Sequence, residues 1–195
     1  CLTLDDIPPD KQQIACTRSF GHPVTELNDL LEAITEFTCR AAEKLRKQNS
    51  QAGQLMAFIR TSPFRKNDKQ HSAYRTIPLP SPSSDSAHLT ELACAIVRHI
   101  YEPGHKYAKA GVMLMDLQSA NTKQLSLELA TDEPETRTRL MQALDDINSK
   151  WGRGTLHLAS AGTAGKHRVW EMKQERKSPE YTTDWKGLTV ALSST

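Results

Sequence analysis

Ile14-Ala15-Cys16-Thr17-Arg18-Ser19-Phe20 reads as a β-strand: β-branched and aromatic residues run up to the breakers Gly21-His22-Pro23. The next segment decides the fold. Leu27, Leu30, Leu31, Ile34, Phe37, Ala41 and Leu45 recur at three- and four-residue steps, the single apolar stripe of a helix, with Thr25 as its cap. That helix ends at Gln48-Asn49-Ser50. Leu55-Met56-Ala57-Phe58-Ile59-Arg60-Thr61 is a second strand, halted by Ser62-Pro63. Tyr74-Arg75-Thr76-Ile77-Pro78-Leu79 is a third. Pro78 has no N–H to give to a ladder, so this strand belongs at an edge or ends there. Pro80 to Asp85 opens a second helix striped by Leu89, Leu92, Ala93, Ile96, Val97 and Ile100 and closed by Pro103-Gly104. Ala110 to Leu117 is the fourth strand. The order β-α-β-β-α-β is an α+β, ferredoxin-like split βαβ arrangement. Two helices cover one face of a four-stranded sheet, which leaves the other face open to a partner.

Outward from this unit the composition changes. Cys1 to Lys11 carries Asp5, Asp6, Pro8, Pro9 and Asp10 and reads as an extended linker (residues 1–12) in front of the domain at 13–119. The opening at Cys1 reads like the middle of a longer chain. Residues 120–130 form a second linker. Residues 131–195 form an extension: a helix from Glu133 to Asn148 with Pro134 in its first turn and a stripe of Leu140, Leu144 and Ile147, then short strands at Gly154–Ala159 and Val169–Met172.

The 195 residues are 37% hydrophobic and 25% charged, enough for a packed core. No apolar run of about 18 residues offers a membrane span. The four cysteines form no C-x-x-C pair, and Cys16, Cys39 and Cys94 sit in apolar patterns, as small core thiols of a cytoplasmic protein do. A net charge of +2 does not by itself mark a nucleic-acid binder.

Phosphate-binding glycine loops, H-E-x-x-H and G-x-S-x-G are absent from the sequence. Asp5-Asp6 and Asp145-Asp146 are adjacent acids, but metal-assisted phosphoryl transfer needs carboxylates converging from rigid elements. No catalytic residue and no metal ligand is assigned, and no enzyme activity is expected of this chain.

Two signals point to binding. From Arg60 to Arg75 five cations face Asp68 alone, and small polar residues accompany them on neighbouring strands. Arg and Lys neutralise phosphate, and small side chains let backbone N–H groups approach it. A solvated loop explains the same charges; the open sheet face favours nucleic acid. Phosphate contacts are assigned to Arg18, Ser19, Arg60, Thr61, Ser62, Lys69, Arg75 and Lys109. The second signal is Gln124-Leu125-Ser126-Leu127-Glu128-Leu129. Its alternating leucines suit a short strand, yet its polar flanks suit a tethered docking peptide whose leucines fill a pocket.

Cys16-Thr17-Arg18-Ser19-Phe20-Gly21, Ala41-Ala42-Glu43-Lys44-Leu45-Arg46, Thr61-Ser62-Pro63-Phe64 and Lys109-Ala110-Gly111-Val112-Met113-Leu114 resemble the C-terminal region of the UmuC family, the catalytic subunits of bacterial DNA polymerase V among the Y-family translesion polymerases. Gly152-Arg153-Gly154-Thr155-Leu156 and Ser178-Pro179-Glu180-Tyr181-Thr182-Thr183 are similar to that family's tail. The resemblance implies a little finger domain that lies along double-stranded primer–template DNA, in SOS repair and mutagenesis. It places the polymerase carboxylates and their Mg upstream of Cys1, leaving no cofactor here. It makes Gln124, Leu125, Ser126, Leu127 and Leu129 a sliding-clamp motif, although Glu128 stands where the more usual form has Phe. It also implies UmuD′-type accessory subunits and a RecA filament as partners, with no residue assigned to either. The alternative from another class is a free-standing RNA-recognition-type module, which shares the β-α-β-β-α-β order and needs aromatics at neighbouring strand positions. Phe20 and Phe58 read as core residues, which leaves Tyr74 alone. A ferredoxin-like metabolic enzyme lacks any convergent acid, base or metal cluster.

Overall fold

The computed structural model describes residues 10–120, 134–162 and 168–172. Six elements build the main body: β1 (Ile14–Val24), α1 (Leu27–Lys47), β2 (Ser50–Thr61), β3 (Ser72–Ser83), α2 (Ser86–Ile100) and β4 (Tyr107–Ser119). The α+β class and the β-α-β-β-α-β order expected from the sequence are present. The strands form one antiparallel sheet in the order β1-β4-β2-β3. Both βαβ units are split: α1 carries the chain from β1 to β2 past β4, and α2 carries it from β3 to β4 past β2.

Both helices lie on one face. Leu30, Ile34, Phe37, Ala41 and Leu45 of α1 and Leu89, Ala93 and Val97 of α2 are fully buried against Leu55, Ala57 and Ile59 of β2 and Ala110, Val112 and Leu114 of β4. Side chains alternate across a strand, so these phases define the covered face. Inside α1, the buried Thr35 and Thr38 hydroxyls donate back to Leu31 O and Ile34 O, so neither hydroxyl is left unpaired. Cys16 and Cys94 are buried free thiols and Cys39 is half-buried. Burial pushes all three thiol pKa values up, that of Cys39 to about 11.

Strand ends differ from expectation. β1 runs on through Gly21-His22-Pro23 to Val24, with an irregular register between Ser19 and Val24. The α1 cap is Glu26, not Thr25, whose hydroxyl lies 3.3 Å from the Glu26 carboxylate. Asp85 caps α2 by accepting from the N–H groups of Ala87 and His88. β3 is an edge strand, as Pro78 requires, and it continues through Pro80 and Pro82 to Ser83. Three prolines on an edge remove donors that another chain could pair with.

The third long helix, α3 (Pro134–Trp151), packs beside α1 and the start of α2. Leu140 and Ile147 of the expected stripe are 60% and 38% exposed; Met141 is the buried residue. Met141 Sδ accepts from the Ser86 N–H, and Asp145 receives two bonds from the Arg46 guanidinium at 2.6 and 2.7 Å. Met141 and Asp145, four residues apart, share the face of α3 turned to α1 and α2, and Leu144 of the expected stripe is half-buried beside them. Gly154–Ala159 and Val169–Met172 are not strands: the first is a turn leading into a short 3₁₀ turn (Ala159–Ala161), the second a turn. Gly154, with φ of +85°, leaves the extended region at once. The second segment buries Trp170 edge-on against Phe37, at 5.7 Å between ring centroids, and Glu171 O accepts the Gly21 N–H. The described residues after α3 thus pack on the main body.

Candidate nucleic-acid interface

The uncovered sheet face is defined by register. Ser19, Lys109, Arg60 and Ser72 stand side by side on β1, β4, β2 and β3, one row across the whole sheet. The next row is Thr17, Gly111, Phe58 and Tyr74, and the one after it Ala15, Met113, Met56 and Thr76. Lys109 and Arg60 form no side-chain hydrogen bond or ion pair with the described residues. Two cations therefore stand on the two central strands at the end of the face next to the β2–β3 loop, flanked by two serines.

The eight residues assigned from sequence divide between the faces. Ser19, Arg60 and Lys109 come together in that first row. Arg18 shares a row with Ala110 and Ile59, and Arg75 one with Val112 and Ala57; all four of those partners are buried in the core. Arg18 and Arg75 are thus on the helix side, at the two sheet edges, and Arg18 reaches Met172 Sδ at 3.3 Å. Thr61 is buried and pairs with Tyr107; its hydroxyl bonds Gln70 Oε1 and His71 O, which ties down the β2–β3 loop. Ser62 O accepts the Arg65 N–H in that loop, and Lys69 is exposed on it.

The loop is held at its base. The buried Tyr107 hydroxyl lies 3.1 Å from His71 Nδ1 and accepts from the Glu102 N–H, and burial pushes its pKa up. Lys106 pairs with Asp68 at 3.0 Å. At the tip Phe64 is 92% exposed.

Sequence reading missed three features of the open face. Phe58 is on it, not in the core, and it stands directly opposite Tyr74. Met56 and Met113 lie in the following row. The signal was the strand period: Phe58 shares its phase with Met56 and Arg60, opposite to Leu55, Ala57 and Ile59. Gly111 is also required. A Cβ there would stand 2.9 Å from Phe58 Cε1 and 2.5 Å from Thr17 Cγ2, so the glycine lets the Phe58 ring extend across β4.

Among the described residues, no three His, Cys, Asp or Glu side chains converge where a metal could sit, and no helix is long and apolar enough to cross a membrane. The segment 124–129 lies outside the described residues.

Residues 11–127 match the impB/mucB/samB family C-terminal domain, and residues 138–191 match a family described as a domain of unknown function (DUF4113). The chain is 37% identical over 191 residues to Protein ImpB of Salmonella typhimurium, across 98% of this chain and 44% of that protein. It is 37% identical over 188 residues to Protein UmuC of Salmonella typhimurium strain LT2, across 96% of this chain and 44% of that protein. It spans less than half the length of these relatives. The structure of an insertion ternary complex of Dbh DNA polymerase overlaps 57% of this chain and 31% of that chain, at a TM-score of 0.45 and 11% identity. With its family match spanning β1 through β4 and the UmuC and ImpB likeness running through α3 and the tail, this chain belongs to the impB/mucB/samB family, whose C-terminal domain matches residues 11–127.

Proposed function

We propose that this chain is the DNA-holding part of a Y-family translesion polymerase that acts in SOS mutagenesis, with residues 13–119 as its little finger domain. The observation that carries this reading is the Ser19–Lys109–Arg60–Ser72 row, with two cations unpaired by any described residue on a sheet face that no described helix covers. Such a row suits the phosphate backbone of a duplex. Lys109 and Arg60 neutralise phosphates, and Ser19 and Ser72 admit close approach. Lys69 on the tethered loop extends the charge beyond the row. Arg18, Thr61, Ser62 and Arg75 contribute less, since three of them turn to the helix side and Ser62 belongs to the loop. The polymerase chemistry, with its Mg, belongs to another part of the full-length protein.

In the same reading, residues 120–130 tether the domain to the sliding clamp through Gln124, Leu125, Ser126, Leu127 and Leu129. The support for this is the alternating leucine pattern between polar flanks. UmuD′-type subunits and a RecA filament are further partners of the full-length protein.

The test is duplex binding by the 195-residue chain against salt. Weak binding on the order of 10⁻⁴–10⁻⁶ M, equal on unrelated sequences, is expected. Arg60→Glu with Lys109→Glu should weaken every duplex alike and flatten the salt slope by about 2. Unchanged binding, or loss on one sequence only, overturns the DNA reading. For the clamp, Leu127→Ala with Leu129→Ala should abolish pull-down of the sliding clamp at an unaltered melting temperature. Early melting of that variant would mean that the leucines are core residues.

A further inference from the structure

The proposed duplex interface uses one row of the open face. The next row has different chemistry. Phe58 on β2 and Tyr74 on β3 are cross-strand neighbours, and Tyr74 is 72% exposed. Phe58 extends across Gly111, and Met56 lies one row further on. An exposed tyrosine beside a half-buried phenylalanine is an apolar platform adjoining the charged row. A phosphate backbone gains nothing from it. Adjacent-strand aromatics on an otherwise open sheet suit a nucleobase, whose π-face stacks on a ring whatever its sequence.

The charge nearby points the same way. Arg60 and Lys109 are two residues along their strands from Phe58 and Gly111, about 7 Å at strand rise. A nucleotide stacked on the aromatic pair would put its flanking phosphates within reach of those side chains. In a duplex the bases are stacked on each other, and their faces are not available to a protein ring. We infer that this face also binds an unpaired nucleic-acid strand, stacking a base on Tyr74 and Phe58 while Arg60 and Lys109 hold the backbone. The two cations are shared with the proposed duplex reading, on which this site rests; the added ligand is single-stranded nucleic acid, which that reading does not include.

The experiment compares fluorescein-labelled oligo-dT, oligo-U and a duplex of equal length, using the 195-residue chain at low salt. Tyr74→Ala is the informative variant, because an exposed side chain can be cut without disturbing the core. It should weaken oligo-dT by about 5- to 100-fold and leave the duplex unchanged. Tyr74→Phe, which keeps the ring and removes the hydroxyl, should restore oligo-dT binding. Parallel losses on oligo-U assign the site to the base; a loss on oligo-dT alone assigns it to DNA. Unchanged oligo-dT binding in Tyr74→Ala overturns the stacking site and leaves the duplex reading intact. Duplex binding lost equally with oligo-dT also overturns it. Oligo-dT binding that depends on Tyr74, in a chain that never binds the duplex, upholds stacking and overturns the duplex reading.

Discussion

Arg60 on β2 and Lys109 on β4 stand directly opposite each other across the central pair of strands. Like charges placed so oppose strand pairing, and no described acidic side chain is bonded to either of them. A fold selected for stability alone would put a Thr or a Glu at one of these positions. Local rules broken in this way mark surfaces kept for a ligand.

The first prediction comes from that pair. Lys109→Thr should raise stability by about 0.2–1 kcal/mol in urea melts and weaken duplex binding in the same preparation. Arg18→Ala, on the helix side, should weaken duplex binding less than Lys109→Thr does. If Arg18 matters and Lys109 does not, the interface lies on the other face.

Gly111 should not tolerate a side chain. Gly111→Val drives a branched group into Phe58 and Thr17, which have atoms within 3 Å of the point a Cβ would occupy. Overpacking of this kind costs roughly 1–3 kcal/mol. Thermal melting should show the loss, and Phe58→Ala in the same chain should recover part of it.

The docking of α3 depends on Met141 and on the Arg46–Asp145 pair, whose side chains are 13% and 22% exposed. Asp145→Ala leaves a part-buried guanidinium half satisfied, since Arg46 also donates to Ser84 O and Ser86 Oγ. Hydrogen exchange in α3 should accelerate by the equivalent of about 1–3 kcal/mol, while the sheet amides stay protected. Met141→Ala should act in the same direction and Leu140→Ala should have little effect. The reverse ranking would mean that α3 is seated on its other face.

Alkaline pH should weaken the fold. Burial raises the pKa of Cys16, Cys39 and Cys94, and Cys39 goes from an ordinary 9.0 to about 11. Above pH 9 the unfolded chain releases protons that the folded chain retains. The contribution is complete below about pH 9 and disappears as the pH rises through about 11, worth about 1–3 kcal/mol for Cys39. Urea midpoints should fall between about pH 9 and pH 11 for this reason, and Cys39→Ala should reduce the fall. A midpoint that rises over this range contradicts it.

Local elements were legible in the chain itself. The stripe from Leu27 to Leu45 has the period of a helix, Leu55-Ala57-Ile59 has that of a strand, and Pro78 confines β3 to an edge. Each of these is a contest between neighbours along the chain, so it is written in spacing. The period of β2 even carried the fact that Phe58 and Arg60 share a face. Its meaning was lost because aromatic character was read as core character.

Packing in three dimensions settled the rest. Strand order β1-β4-β2-β3 depends on which edges meet once both helices are packed, a non-local competition that no spacing records. That order, with its register, put Arg60 beside Lys109, far apart in the chain, and sent Arg18 and Arg75 to the helix side. The rotation of α3 was decided likewise. Leu140, Met141, Leu144 and Ile147 all suit an apolar stripe. Met141 is the one buried, on the same face as Asp145, which is bonded to Arg46 far away in sequence.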